Sequence, residues 1–244
     1  MPGQGNGKET PGEERSKREV RADRILDATV ELVQRWGYKK TTIDDIARLA
    51  GVAKGTVFLH WKTREALFEA LLLREWLSAI ADLKRRLESD PAGATLSALT
   101  RHMMSIVIDN PFFRGMMLGD TEMLGNLTRS STAQNVMEFR LQMLQTYLHL
   151  LREKGLLRTD YAIETQLKMI AAIYTGFFLA DQFLPSGYRF SSEEMIETMV
   201  QTLHRTLEPD EPASPAETEE VTQAFMHLLD QLRAAIENTS GNNQ

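Results

Sequence analysis

At 244 residues the chain can form one large domain or two modest ones, and its 42% hydrophobic and 25% charged residues are those of an ordinary globular protein. It has no cysteine, which excludes disulfides, thiolate metal sites and thiol redox chemistry. A net charge of −6 argues against a nucleic-acid partner until its distribution is counted: residues 15–64 hold twelve Lys/Arg and six Asp/Glu, whereas residues 65–244 hold fifteen and twenty-five.

A basic module is therefore joined to an acidic body. Strand formers never alternate over a useful run, while apolar residues recur with helical period along most of the chain, so the expected fold is all-α. Residues 1–17, rich in Gly, Pro and Glu, are expected to be a disordered tail and lack the apolar core of a signal peptide. The most apolar stretch, Met169 to Ala180, is shorter than the about 20 residues that cross a bilayer. A cytoplasmic location with no membrane partner is expected.

The first helix is predicted over 18–36, with Ile25, Leu26, Thr29, Leu32, Val33 and Trp36 on one face and Gly37 as its stop. Thr42 can cap a second helix beginning at Ile43, with Asp45 three residues on as its capping-box partner; Gly51 ends it. A third helix is predicted over about 53–60. Together, 18–62 form an expected N-terminal three-helix domain. A larger helical domain is expected over 63–207. Its helices are predicted from Thr63 to about Leu87, over 93–109, over 131–154 to Gly155, over 161–184, and over 192–207, with a short helix in "FFRGMMLGD". Residues 208–216, acidic and Pro-rich, read as a solvated linker. A last helix is expected over 217–238, with Ser214, Pro215 and Glu217 as N-cap, N1 and N3.

The basic module has a specific geometry. Ile43, Ile46, Ala47, Ala50, Val52, Val57 and Trp61 supply apolar faces to two helices separated by a few residues, and Gly51 supplies the positive φ of a sharp turn. This is a helix-turn-helix, and packing on its first helix pushes the second outward. The outward face would carry Lys54, Gly55, Thr56 and His60. Gly55 and Thr56 are small enough for close approach to DNA, and Lys54 and Lys62 can meet phosphates. The basic run Arg15 to Arg24 reads either as an arm tracking phosphates or entering the minor groove, or as a solvated helix start.

The stretch "RILDATVELVQRWGYKKTTIDDIARLAGVAKGTVFLHWKTREALFEALL" resembles the DNA-binding domain of the TetR family of transcriptional regulators. The resemblance rests on I-L-x-A in the first helix, G-Y-x-x-T-T before the second, and I-A-x-x-A-G-V-x-K-G-T followed by H-W-K-x-R-E-A-L. It implies a phosphate contact from Thr42 and base or phosphate contacts from Lys54, Gly55, Thr56 and His60. It also implies that Lys62 and Arg64 hold the DNA backbone at the start of the next helix. Two positions depart from the pattern. Phe58 stands where the family usually has tyrosine, which leaves contact with a thymine methyl or a sugar. Ala53 replaces the usual Ser-type cap of the third helix.

In the acidic half, ten of the twelve methionines lie between residues 103 and 199, interspersed with aromatics. Such residues at helical spacing make a core; they also suit an adaptable pocket. Met103, Phe113, Met117, Met143, Tyr147, Tyr174 and Phe178 are the expected lining of a site for a small apolar or aromatic effector. The helix over 161–184 is apolar nearly all round, and that over 192–207 has a strong apolar stripe, so Leu167, Phe177, Met195, Met199 and Leu203 are the expected dimer interface. His102, His149, His204 and His227 lie far apart and show no metal-ligand spacing, and no G-x-S-x-G or phosphate loop occurs. No enzyme activity, metal or cofactor is expected. The reading is a homodimeric repressor released from a palindromic double-stranded DNA operator by its effector. The alternative is the same fold working through protein partners without a small ligand, for which the Met/aromatic group would be a filled core.

Overall fold

A computed structural model describes residues 11–241 apart from Pro212, so the first ten residues of the tail expected over 1–17 lie outside the described residues. Among these, eleven α-helices and two short 3-10 turns make up the regular structure, with no strand. The first helix, α1, runs Pro11–Lys40, reaching back into the stretch read as a tail and forward past Gly37. Gly37 breaks the run where a stop was expected: its φ of +75° and ψ of 164° are non-helical, so α1 is two helices joined at a kink, and a Cβ there would lie 3.1 Å from the Glu122 carbonyl oxygen. Ile25, Leu26, Thr29, Leu32 and Val33 are buried as their spacing predicts, but Trp36 is 44% exposed.

Helix α2 (Ile43–Leu49) and helix α3 (Lys54–His60) complete the N-terminal unit. Their turn is closed by the Ala50 amide on the Ile46 carbonyl (2.8 Å) and the Val52 amide on the Ala47 carbonyl (2.9 Å), with Gly51 at φ +64°. Ile43, Ile46, Ala47, Ala50 and Val57 are buried against α1 and the start of α4 (Arg64–Glu88), which Thr63 caps.

Helix α4 is a single rod from the N-terminal unit into the larger domain. Leu67, Phe68, Leu71 and Leu72 are buried in its first half, and Trp76, Ile80, Leu83 and Leu87 in its second. Around it lie α5 (Leu96–Asp109), α6 (Pro111–Leu118), α7 (Thr121–Leu124) and, after a 3-10 turn over Gly125–Arg129, α8 (Ser131–Glu153). Helices α9 (Ile163–Phe183), α10 (Ser192–Leu207) and α11 (Pro215–Gly241) follow, the second 3-10 turn (Ser186–Tyr188) lying between α9 and α10.

Two expectations for the C-terminal part change. The stripe of α10 is spent inside the subunit: α10 packs on α5 and buries Met195, Met199, Val200, Leu203 and Leu207, with Met199 and Leu203 fully buried. Periodicity identified the apolar face correctly, but its partner is α5. The stretch after α10 is also not wholly solvated. Glu208 is buried because its carboxylate accepts from the Ser97 amide (2.8 Å) in the first turn of α5, an amide with no partner in its own helix, and also pairs with His204 (2.8 Å). Helix α11 starts as its capping residues predict: the Ser214 amide donates to the Glu217 carboxylate (3.0 Å) and the Ser214 hydroxyl accepts from the Glu217 amide (3.3 Å). Its stripe of Val221, Phe225, Leu229, Leu232 and Ile236 packs onto α4 and α8.

Candidate nucleic-acid interface and effector cavity

The N-terminal face presents α3 outward on the α1–α2 support. Gly55 is exposed with open space around it, Phe58 is 37% exposed, and Lys54 and Lys62 are exposed; Thr56 and His60 are half-buried. Leu59, absent from the residues expected at this face, is 69% exposed. The signal was available: Val57 and Leu59 are two residues apart, about 200° around a helix, so both cannot face inward. Lys54 pairs with Asp44 of α2 at 2.8 Å, and this exposed pair is open to exchange for a phosphate. Ala53 makes no side-chain cap to α3, although its carbonyl accepts from the Thr56 amide (2.9 Å).

Thr42 is the N-cap of α2. Its hydroxyl donates to the Asp45 carboxylate (2.5 Å) and accepts from the Asp45 amide (3.2 Å). That hydroxyl bond, with Arg48 adding to it, holds the exposed Asp45 carboxyl below its usual range. Arg64 is placed differently from the expectation. Its guanidinium turns inward, donating to the Thr41 carbonyl (3.2 Å) and the Tyr38 carbonyl, and lies over the rings of Tyr38 and Phe68. It ties α4 to α1. The basic run at the start of α1 is helical, so it is the helix start and not an extended arm. Arg18 and Arg21 are exposed and lie close enough to His60 that, after burial, their charges pull its pKa below the ordinary histidine value.

In the larger domain all seven expected effector residues, Met103, Phe113, Met117, Met143, Tyr147, Tyr174 and Phe178, line one cavity of about 310 Å³. Leu167, expected at a dimer interface, lines it too. Phe177 packs on Phe190 with ring centroids 5.7 Å apart. Helix α4 contributes Trp76, Ile80 and Leu83 to the cavity, and α11 contributes Phe225, Leu229 and Leu232, so the added C-terminal helix is a wall of the site. The exposed side chains Leu118, Leu141, Ala171 and Thr175 also border it, marking where it opens. A second hollow of about 360 Å³ shares Trp76 and Leu141 with the first.

Few polar atoms reach the cavity, and most are already satisfied. The Tyr147 hydroxyl donates to the Ala94 carbonyl (2.8 Å), and the Tyr174 hydroxyl to Thr100 (2.9 Å), which in turn donates to the Leu96 carbonyl (2.7 Å). Burial pushes both phenols up, Tyr174 to about 12. Arg140, missed in the sequence, is the exception. It was legible as an arginine whose neighbours one turn either way are Val136, Met137, Met143 and Leu144. No group of acidic and histidine side chains among the described residues is arranged to hold a metal, and no described helix is long and apolar enough to cross a membrane.

This geometry has relatives. Residues 25–71 match the family described as bacterial regulatory proteins, tetR family. The fatty acid metabolism regulator protein of Bacillus subtilis is 28% identical over 130 residues, which span 52% of this chain and 62% of that protein. The HTH-type transcriptional regulator YvkB of the same organism is 28% identical over 64% of this chain and 80% of its own length. TtgR of Pseudomonas putida is 32% identical over 39% of this chain and 48% of its own. Among solved structures, the TetR family protein CprB from S. coelicolor has the same fold, with a TM-score of 0.54 and 20% identity over 89% of this chain and 98% of that one.

Proposed function

The chain belongs to the TetR family of DNA-binding transcriptional regulators, and from that premise we propose that it is a homodimeric repressor released from a palindromic operator by a small apolar effector. The alternative expected a filled core among the methionines and aromatics; the 310 Å³ cavity favours an effector site instead. One observation carries the coupling. The same unbroken helix, α4, begins at Arg64 beside the DNA-binding unit and carries Trp76, Ile80 and Leu83 of the cavity wall in its second half. A ligand that displaces those side chains displaces a rod whose other end positions the reader helix α3. Helix α6 offers a second route, since Phe113 and Met117 line the cavity and α7, which follows it, packs on α1.

Of the two helices expected at the dimer interface, α9 keeps that role without α10, through a different set of its residues. Ala172, Gly176, Leu179 and Phe183 form one exposed stripe of α9, at spacings of four, three and four residues, and Phe183 is 81% exposed. A second copy packed on this stripe would pair two α9 helices and set two α3 helices on one side of a duplex. The relative named for fatty acid metabolism agrees with an apolar effector.

Footprinting of the purified chain on selected genomic fragments tests this reading. The expected result is a protected inverted repeat whose half-sites lie about 10 base pairs apart or a multiple of that. Protection of a single unrepeated site, or none, contradicts it.

A further inference from the structure

The cavity is apolar except at one point, and that point is a cation. Apart from the phenols Tyr147 and Tyr174, Arg140 is the only ionisable residue among those lining it. Among the described residues its one side-chain hydrogen bond is from Nη1 to the Met117 sulfur at 2.7 Å, a weak acceptor, and its guanidinium lies 5.7 Å from the Trp76 ring centroid. It forms no ion pair with any described carboxylate. The nearest acid on its own helix, Glu138, is two residues away on the opposite side, where it borders the second hollow. The other helices around the cavity, α4, α5, α6, α9 and α11, bring no carboxylate to its lining.

A half-buried guanidinium facing an apolar cavity is costly without an anion, and four of its five N–H groups have no hydrogen-bond acceptor among the described residues. Burial drags its pKa down, as expected for a charge with no counter-ion, yet an arginine keeps its proton at neutral pH. The site thus lacks one anion, and the cavity around it suits an apolar body. On the reading that this cavity is the effector site, we propose that the effector is an apolar monocarboxylate, its carboxylate paired with Arg140 and its hydrocarbon among Met103, Leu83, Phe178 and Leu229. A planar carboxylate matches the guanidinium fork with two parallel N–H donors, and the Tyr174 hydroxyl oxygen, in electrostatic reach of Arg140, stays protonated there.

The test is calorimetric titration of the full chain at neutral pH with matched pairs: decanoate and decanol, phenylbutyrate and phenylbutanol. Wild type should bind at least one acid about tenfold or more tighter than its alcohol. The pair that shows the preference tells an alkyl from an aryl body. Arg140→Met should reverse the preference while leaving alcohol affinity within about threefold, because the carboxylate then loses its water with nothing in return. Arg140→Lys should retain part of it. Alcohols binding wild type as well as the acids, or an acid preference surviving in Arg140→Met, overturns the proposal and leaves the effector-site reading intact. If neither acids nor alcohols bind, the effector-site reading fails and the proposal with it. Should Arg140→Met not fold, Arg140→Gln and the wild-type comparison decide the matter.

Discussion

Arg64 places its guanidinium 3.9 Å from the centroid of the Tyr38 ring and donates to the Tyr38 and Thr41 carbonyls, bolting the first turn of α4 to the last turn of α1. The contact lies where the two proposed routes from the cavity converge. Helix α4 arrives from Trp76 and Ile80, and α7 presses on α1 beside Gly37. An arginine used this way is a structural hinge pin, not a phosphate contact.

Arg64→Ala should therefore cost about 1–3 kcal/mol of stability, through two unsatisfied carbonyls and a lost cation–π stack. Arg64→Lys should recover little, because an ammonium cannot stack and reach both carbonyls at once. Chemical denaturation read alongside operator affinity checks this. Unchanged stability with lost affinity would return Arg64 to the DNA backbone.

His60 gives a pH signature. Burial, then Arg18 and Arg21, hold its pKa below 6.5 in the free protein. A lowered value means that the unfolded chain binds the proton more readily, so the stability it contributes is complete above pH 6.5 and is lost as pH falls through the folded value. Operator phosphates beside His60 would do the reverse and raise its pKa, so binding would take up a proton. Operator affinity should rise as pH falls from about 7.5 into the window below 6.5, and His60→Gln should flatten that rise. Fluorescence anisotropy across this range, with an equal slope in the variant, would remove His60 from the interface.

The two apolar helices separate by substitution. Leu179→Asp or Phe183→Asp on the exposed stripe of α9 should give folded monomers with at least about tenfold weaker operator binding, since a lone reader helix holds one half-site poorly. Leu203→Asp places a charge in the fully buried α5–α10 contact and should unfold the larger domain instead. Sedimentation and circular dichroism of the three variants distinguish these outcomes. A folded monomeric Leu203→Asp would restore the interface first expected from periodicity.

What was legible in the chain follows from which interactions are local. Caps are written in adjacent residues, so Thr42, Thr63 and Ser214 were readable and each makes its bond to the amide three residues on. Helical period likewise gave the stripe of α10, but a stripe does not name its partner, and α5 took the place expected for a second subunit. The seven cavity residues were found because methionine and aromatic side chains cluster in sequence as well as in space. Arg64 and Arg140 were not, for opposite reasons. Arg64 occupies a motif position whose role is set by carbonyls 23 and 26 residues away. Arg140 was marked only by its apolar neighbours one turn either way, a signal that places it beside a core but does not say that α4, α6 and α9 close a cavity around it.

A cavity and an α3 face that form two ends of one switch, as proposed, must be linked reciprocally. Reader helices of a dimer must stand about 34–36 Å apart, or a multiple of that, to meet both half-sites, so a ligand that tilts α4 must oppose operator binding. The measurement is titration of a cavity ligand, chosen by thermal shift from apolar and aromatic compounds, into the protein with and without saturating operator. Operator should raise the ligand Kd at least about tenfold, a coupling of about 1.4 kcal/mol, and the ligand should weaken operator binding by the same factor. Equal ligand affinity in the two titrations would contradict it.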